Sequence, residues 1–383
     1  MKNAGRWALL LVAALAVVAC GGPTEVQIGA IVALQGSAAP YGESVWRGIQ
    51  VAQGKINDEG GVTVAETSTA VPLNIVMRDS RSDPSIAIQE AEELIGMGIP
   101  AVIGAVSSDV TLAIADLFQQ SEVVLLSPAT STPELSTKGS YIYRNFPSDE
   151  LEAVNMANHI YNVAGIRMVD VVSSQSKYGL GIRRAFIERF RMLGGRVGAT
   201  PSFPIEGTDM TAVVDELTGS DSGGIYIAGY SDETARVAIA VRDAGITKPL
   251  FGTGAILPNE LVAEGGAAVE GLAYPTPAFD PDSEDPAVRE FIRRYREMFG
   301  EDFDVYAAHG YDAVLILAQA IEQEGYRGDS ISFYLNAMNP FPGAAGETTF
   351  DEEGNARKFH RMFVIQNGTA VPYVAPAGDD SGQ

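Results

Sequence analysis

Residues 101–118 read AVIGAVSSDVTLAIADLF, and this stretch decides the fold. Ala101 to Gly104 is a short continuous apolar run, the kind buried on both faces of a parallel sheet. Ser107, Ser108 and Asp109 are helix-starting residue types, and Val110 to Phe118 places apolar residues at helical spacing. Strand, turn and helix in one stretch make a βα unit. The same reading extends outward. Toward the N-terminus, Val26 to Ala33 is a strand, followed by Val45, Ile49, Ala52 and Ile56 on one helical stripe that Asn57-Asp58-Glu59-Gly60-Gly61 ends. Leu73 to Met77 is extended, and Ser85 to Met97 is helical with Ala87, Ala91, Leu94 and Ile95 inward. On the other side, Val123 to Leu126 is extended and Tyr141 to Arg144 runs out of this first series as a strand.

A second series begins after Asn145-Phe146-Pro147-Ser148. It has a helix over Leu151 to Val163, a strand from Met168 to Ser173 and a helix from Gly181 to Leu193. Helix Met210 to Leu217, strand Gly224 to Ala228, helix Glu233 to Ala244 and strand Leu250 to Gly252 complete it. The order of the first half repeats without its residues, so the sequence predicts an α/β protein of two similar parallel-sheet lobes. After the Pro-rich Tyr274-Pro275-Thr276-Pro277, Asp285 to Phe299 and Ala307 to Gln323 read as long helices, and Met362 to Ile365 is the last strand candidate. Helices without a sheet of their own need apolar surface to cover, so late segments are expected to return to an earlier sheet.

With 383 residues, 46% of them hydrophobic, the chain is too long and too apolar for a disordered polypeptide and fits two or three compact units. Its single Cys cannot form an internal disulfide. Lys and Arg total 26 against 49 Asp and Glu, a net charge of -23, which repels phosphate polymers and argues against a nucleic-acid partner. His159, His309 and His360 are far apart and lack Cys companions, so neither a metal site nor a cofactor is expected. At the N-terminus Lys2 and Arg6 precede an apolar run from Trp7 to Ala19, shorter than the roughly 20 residues a spanning helix needs. Residues 1–19 therefore read as a secretory signal peptide, with a short uncleaved anchor as the alternative. Val17-Val18-Ala19-Cys20 resembles the bacterial lipobox, in which Cys20 becomes the first mature residue and carries the lipids, leaving residues 20–25 as a tether. Removing residues 1–19 takes away two cations and no acid, which leaves 24 against 49 and a charge of -25.

Landmarks along the chain carry a broader resemblance. They are Gly29-Ala30-Ile31-Val32, Gln35-Gly36 and Tyr41-Gly42; Ile56-Asn57 with Gly60-Gly61-Val62; and Arg78-Asp79 with Ser82-Asp83-Pro84. Ile103-Gly104-Ala105-Val106-Ser107-Ser108, Ser127-Pro128-Ala129-Thr130-Ser131-Thr132-Pro133-Glu134-Leu135, Tyr178-Gly179, Gly229-Tyr230 and Gly254 follow. Glu270-Gly271, Gly310-Tyr311-Asp312-Ala313 and Phe350-Asp351-Glu352-Glu353-Gly354 complete the set. In this order the chain resembles the type I periplasmic solute-binding proteins of ABC importers, in the branch of leucine/isoleucine/valine-binding proteins and amide receptors. The resemblance implies two lobes joined by three crossover segments, with residues 26–144 and 275–345 in the first lobe, 145–274 and 346–375 in the second, and 376–383 as a tail. It also implies an extracytoplasmic lipoprotein, membrane-anchored through Cys20, that is not an enzyme. Such a protein would close on a small carboxylate-bearing ligand (a branched-chain amino acid, an amide or an aromatic acid) and deliver it to an ABC permease.

In open α/β sheets ligands sit beyond the carboxyl ends of the strands, where unpaired N–H groups favour an anion. Ser107, Ser108 and Asp109 occupy such a place, and either cap the helix near Val110 or donate to a ligand. The loop Ser127 to Thr132, stiffened by Pro128 and Pro133, is either an ordinary Ser/Thr turn or a second set of donors. The resemblance assigns the ligand carboxylate to the Ser108 hydroxyl, the Ala129 backbone, and the side chain and N–H of Ser131. It assigns Tyr41 and Tyr311 to the first-lobe wall of the cleft, and Tyr178 and Tyr230 to the second. Each of these tyrosines is otherwise a packing residue, as Trp46 is expected to be.

One departure bears on the ligand. Amino-acid-binding members carry an acid near Gly254 for the α-ammonium, whereas this sequence reads Gly252-Thr253-Gly254-Ala255. A buried ammonium without a counter-charge costs several kcal/mol. Either another carboxylate reaches the cleft, Asp232 first and Glu206 second, or the ligand has no ammonium. Two other functions are open: a ligand-sensing receptor component with a membrane signalling partner, and a lipid-anchored hydrolase. For the hydrolase, Ser108-Asp109 lacks a nearby His, and no Walker loop or dinucleotide turn is present. Asp280, Asp282, Glu284 and Asp285 suggest calcium, but Pro281 and Pro286 interrupt them, and a solvated acidic loop is the plainer reading.

Overall fold

The computed structural model describes residues 23–374 except 206, 208, 278, 280–282, 302 and 359. The expectations for the signal peptide, Cys20, Glu206, Asp280, Asp282 and the 376–383 tail therefore concern residues outside the described ones.

Strands β1 (Val26–Val32), β2 (Val62–Val64), β3 (Thr69–Val71), β4 (Leu73–Asp79), β5 (Ala101–Gly104), β6 (Val124–Ser127) and β7 (Ile142–Arg144) belong to the first half. The second half holds β8 (Met168–Ser174), β9 (Arg196–Val197), β10 (Ser202–Phe203), β11 (Ile225–Ala228), β12 (Leu250–Phe251) and β13 (Ala273–Pro277). Strands β14 (Phe341–Gly343), β15 (Gly346–Thr348), β16 (His360–Gln366) and β17 (Thr369–Pro372) close the chain. The helices are α1 (Ala39–Asp58), α2 (Pro84–Gly96), α3 (Ser108–Gln120), α4 (Asp149–Asn158), α5 (Lys177–Met192) and α6 (Thr211–Thr218). They continue with α7 (Ser231–Asp243), α8 (Pro258–Gly265), α9 (Pro286–Phe299), α10 (Val305–Glu324) and α11 (Gly328–Ala337).

The first sheet has the order β4-β1-β5-β6-β7 and is parallel throughout. The second has the order β10-β8-β11-β12-β13-β16-β17, with β9 beside β8. It is parallel as far as β13, and β16 and β17 join antiparallel. The returning late segment is thus β16, which pairs with β13. Residues 275–277, which the resemblance gives to the first lobe, lie in β13 and pair with β16. The short hairpin β2–β3 left no readable period in the sequence. The long helix read over 151–163 is α4 followed by one wider turn, His159–Val163.

The central parallel strands of both sheets are buried on both faces, as their near-continuous Val/Ile/Leu runs require, whereas β16 and β17 are half exposed. On one face of the first sheet Val45, Ile49, Ala52 and Ile56 of α1 pack with Phe291 of α9, Val314 and Leu317 of α10 and Ile331 of α11. On the other, Ala87 and Leu94 of α2 meet Ile114 and Phe118 of α3. The second sheet is covered by α7 and α8 on one face, through Ala238, Val241 and Leu261, and by α4 and α5 on the other, through Met156, Phe186 and Phe190. Helices α1 and α10 cross so closely that a Cβ at Gly48 would sit 1.9 Å from the Ala307 carbonyl oxygen, which only glycine permits.

The chain passes between the two halves after Arg144, after Pro277 and between Thr348 and His360. Two of these passages are tied: Arg144 and Asn355 form a parallel bridge. Because the strands are parallel, the loops after β1, β5 and β6 leave one edge of the first sheet and face the loops after β8, β11 and β12. The space between them is the crevice described next.

Candidate ligand-binding site

Between the two sets of loops lies a cavity lined by Ala38, Tyr41, Val106, Ser107, Ser108, Ala129, Ser131, Phe146, Glu152, Tyr178, Tyr230, Ala255 and Tyr306. Its volume is about 370 Å³, counting the space open at its mouth. The walls stand nearly in contact. The Tyr41 hydroxyl holds them there, donating to the Ala255 carbonyl at 2.8 Å and accepting from the Ser231 N–H at 3.2 Å. At the rim, the Lys177 N–H donates to the Asp109 carboxylate at 3.2 Å.

One wall is polar and preset. Ser107 occupies the N-cap position of α3, yet neither it nor its neighbour caps the helix through a side chain. The Ser107 and Ser108 hydroxyls therefore border the cavity instead of closing the helix end. The Ser127–Thr132 loop is pinned from behind. The Ser127 hydroxyl donates to the Ala105 carbonyl at 2.8 Å and accepts from the Thr130 N–H at 3.1 Å, and the Thr130 and Thr111 hydroxyls meet at 2.6 Å. Buried Arg144 donates to the Ser131 and Thr132 carbonyls at 2.9 and 2.6 Å, to the Ser136 hydroxyl at 2.7 Å and to the Asn355 side-chain oxygen at 2.5 Å. Burial lowers its pKa to about 10, so it remains charged. The clamp engages the carbonyls of this loop, the Ser127 and Thr130 hydroxyls are spent inside it, and the Ala129 and Ser131 N–H groups are left for the cavity side.

The opposite walls are aromatic. Tyr178 stacks on Tyr230 with centroids 5.0 Å apart, Tyr230 meets Tyr41 at 5.2 Å, Tyr41 meets Tyr306 edge-on at 5.1 Å, and Tyr306 stacks on Phe146 at 5.3 Å. Tyr306 is fixed by the start of its helix, where Asp304 accepts from the Tyr306 and Ala307 N–H groups at 2.9 and 3.0 Å. The Tyr178 hydroxyl is buried without a directed hydrogen-bond partner.

At one end stands a carboxyl pair that the sequence reading missed. Glu152, 2% exposed, borders the cavity and accepts from the Gly254 N–H at 2.8 Å. One turn earlier on α4, Asp149 is fully buried, and neither carboxyl oxygen has a directed hydrogen bond. Burial drives the Asp149 pKa up to about 7, against the pull of the Ser131 hydroxyl and Arg144. Burial, and then the Asp149 charge, push Glu152 well above the usual carboxylate range.

Seven of the residues named from the sequence, Tyr41, Ser107, Ser108, Ala129, Ser131, Tyr178 and Tyr230, meet at this cavity. Three do not. Tyr311 is buried against Phe291 at 5.1 Å in the core of the first half, and Tyr306 takes the wall position instead. Five residues along a helix turn the side chain by about 140°, so the two tyrosines face different ways. Asp232 pairs with Arg236 at 3.3 Å on the half-exposed side of α7, away from the lining. Gly254 is not itself a wall: its N–H supports Glu152 and its carbonyl accepts from the Tyr306 hydroxyl at 3.3 Å. The signal for Glu152 was present, since Asp149, Glu152, Met156 and Ile160 fall on one helical stripe and all four are buried.

Comparison with known proteins places this architecture. The family model for periplasmic binding proteins matches residues 25–370. A Leu/Ile/Val-binding protein homolog of Brucella melitensis is 24% identical over 353 residues, covering 90% of this chain and 92% of that protein. The crystal structure of the leucine-binding protein LivK of Thermotoga maritima superimposes with a TM-score of 0.84 at 29% identity, over 91% of this chain and 98% of that one. The branched-chain amino acid transporter substrate-binding protein LivJ of Streptococcus pneumoniae, solved with isoleucine, gives 0.82 at 25% identity, over 90% and 97%.

Proposed function

The chain belongs to the periplasmic binding protein family, and from that membership we propose that it captures a small carboxylate-bearing solute by closing its two halves on it and hands the solute to an ABC permease. A member of this family works outside the cytoplasm and binds its solute without transforming it. Among the described residues no helix is long and apolar enough to cross a membrane. In this proposal Cys20 carries the lipid that tethers the protein, and the solute is of the branched-chain amino acid, amide or aromatic acid class.

The observation that carries the reading is the wall built from Ser108, Ala129 and Ser131, whose Ser108 hydroxyl caps no helix and stands with the Ala129 and Ser131 backbone beside a closed cavity. The Ser108 and Ser131 hydroxyls and the backbone N–H groups of Ala129 and Ser131 receive the carboxylate, helped by the positive end of α3. Tyr41, Tyr178, Tyr230 and Tyr306 enclose the rest of the solute, offering apolar area at small entropic cost. A solute touching both halves favours the closed arrangement by its differential affinity for it. The 26–144 and 145–274 blocks, each with its returning C-terminal segment, are the bodies that move.

The test is mass spectrometry of the small molecule that copurifies with a soluble form lacking residues 1–20, followed by thermal titration with that compound. The proposal expects an intact carboxylate and a saturable rise in melting temperature with the compound recovered unchanged. Turnover of the compound, or a copurifying molecule without a carboxylate, contradicts it.

A further inference from the structure

The carboxylate wall leaves the Glu152 end of the cavity unassigned. Glu152 uses Oε1 to accept from Gly254 N–H at 2.8 Å, and a Cβ placed on Gly254 would stand 2.6 Å from Oε2. A side chain at 254 would therefore crowd the Glu152 carboxyl in its present position. Glu152 thus brings a carboxylate to the backbone of 254, where the chain itself has no side chain. The groups acting on Glu152 are the buried Asp149 carboxyl and one backbone N–H, and neither supplies a positive charge. Arg144, the guanidinium nearest in sequence, is committed to the carbonyls of residues 131 and 132. Beside Glu152 the Tyr178 hydroxyl is buried in the cavity wall with no directed partner of its own.

We propose that Glu152 is the specificity-determining residue for a cationic group on the solute, its free Oε2 and the Tyr178 hydroxyl receiving an ammonium while the Ser108/Ser131 wall holds the carboxylate. The inference rests on the function proposed above and narrows it: the solute is an amino acid, not an amide or an ammonium-free acid. A buried carboxyl with no counter-charge is costly, and a ligand ammonium supplies that charge on binding. Asp149, behind Glu152 on the same helix face, adds negative potential without needing contact.

The experiment titrates the unfolded, washed and refolded soluble protein by calorimetry with matched pairs that differ only in the ammonium. They are L-leucine and 4-methylpentanoate, L-valine and 3-methylbutanoate, and L-phenylalanine and 3-phenylpropanoate. The expected result is binding of at least one amino acid, with its deaminated partner weaker by about 30-fold or more. Glu152→Gln should weaken that amino acid by a similar factor, about 30-fold, without lowering the melting temperature of the unliganded protein. The exchange Glu152→Ala/Gly254→Glu should recover about tenfold or more over Glu152→Ala alone. A deaminated acid that binds as tightly as its amino acid, or a Glu152→Gln protein with wild-type affinity, overturns the inference. If Ser108→Ala then still loses binding, the proposed function stands and only the cation subsite falls. If no member of any pair binds, the proposed function fails and this inference with it.

Discussion

Removing one oxygen, by Tyr41→Phe, should separate closure of the crevice from stability of the fold. The Tyr41 hydroxyl is the link from α1 in the first half to the loops after β11 and β12 in the second, through Ala255 carbonyl at 2.8 Å and Ser231 N–H at 3.2 Å. Phenylalanine keeps the ring contacts with Tyr230 and Tyr306, centroids 5.2 and 5.1 Å away. What disappears is these two buried hydrogen bonds, each worth about 0.5–1.5 kcal/mol net, while the Ser231 hydroxyl, also 3.2 Å from the Tyr41 oxygen, keeps its bonds to the Leu257 backbone. In an open arrangement water satisfies the same carbonyl and N–H, so the loss falls on the closed state alone. The sum, about 1–3 kcal/mol, weakens solute binding by about 5- to 150-fold. Calorimetry on wild type and variant with the same solute reads the affinity, and thermal melts without solute read the fold. The reasoning is refuted by an affinity within about twofold of wild type, or by a variant that loses as much stability without solute as with it.

Other outcomes follow from the same geometry. Ser108→Ala should cost about 1–3 kcal/mol of affinity for a carboxylate solute by calorimetry, because a charge-assisted bond is lost while the fold keeps no cap from that hydroxyl. Arg144→Met should lower unfolding free energy by about 3–5 kcal/mol in urea titrations, since the buried Ser131 and Thr132 carbonyls and the half-buried Ser136 and Asn355 side chains lose this donor and Met restores only volume. Tyr311→Phe should leave solute affinity unchanged, because Tyr311 packs on Phe291 in the core away from the cavity. Buried Asp149 and Glu233, pushed up to about 7, and Asp312, pushed up to about 6, bind protons more tightly folded than unfolded. Their contribution to stability is full below the unfolded carboxylate range, near pH 4, and is lost as pH rises through 6 to 7. The histidines His159, His309 and His360, pushed down by burial, act in the opposite sense below about pH 6.5, so the carboxyl contribution is read by difference. Asp149→Asn should shift the melting-temperature difference between pH 5 and pH 7.5 in favour of pH 7.5, and an unchanged difference would contradict the burial argument.

Much of this architecture was legible because parallel strands covered on both faces leave short unbroken apolar runs, as at Val26–Val32 and Ala101–Gly104. Ser108, Ala129 and Ser131 were readable from position alone, directly after two such strands. Tyr306 was not, because α10 is buried nearly all round and offers no polar face from which to tell its cavity side from its core side. The choice between Tyr306 and Tyr311 is made by the Asp304 cap that starts the helix. Glu152 was overlooked because an acid in the first turn of a helix ordinarily serves the helix dipole in solvent. Asp232, preferred in its place, is such a solvent-facing acid, paired with Arg236 one turn on. The Arg144 clamp depends on Asn355, more than two hundred residues later, and no local spacing announces it.

A co-crystal structure with the tightest-binding solute tests the central claim most directly. The account expects the solute between the two halves, its carboxylate within hydrogen-bond distance of the Ser108 hydroxyl and the Ala129 and Ser131 N–H groups, with Tyr41 still bridging to Ala255. A solute bound elsewhere, or one in the crevice with its carboxylate turned away from that wall, would contradict it.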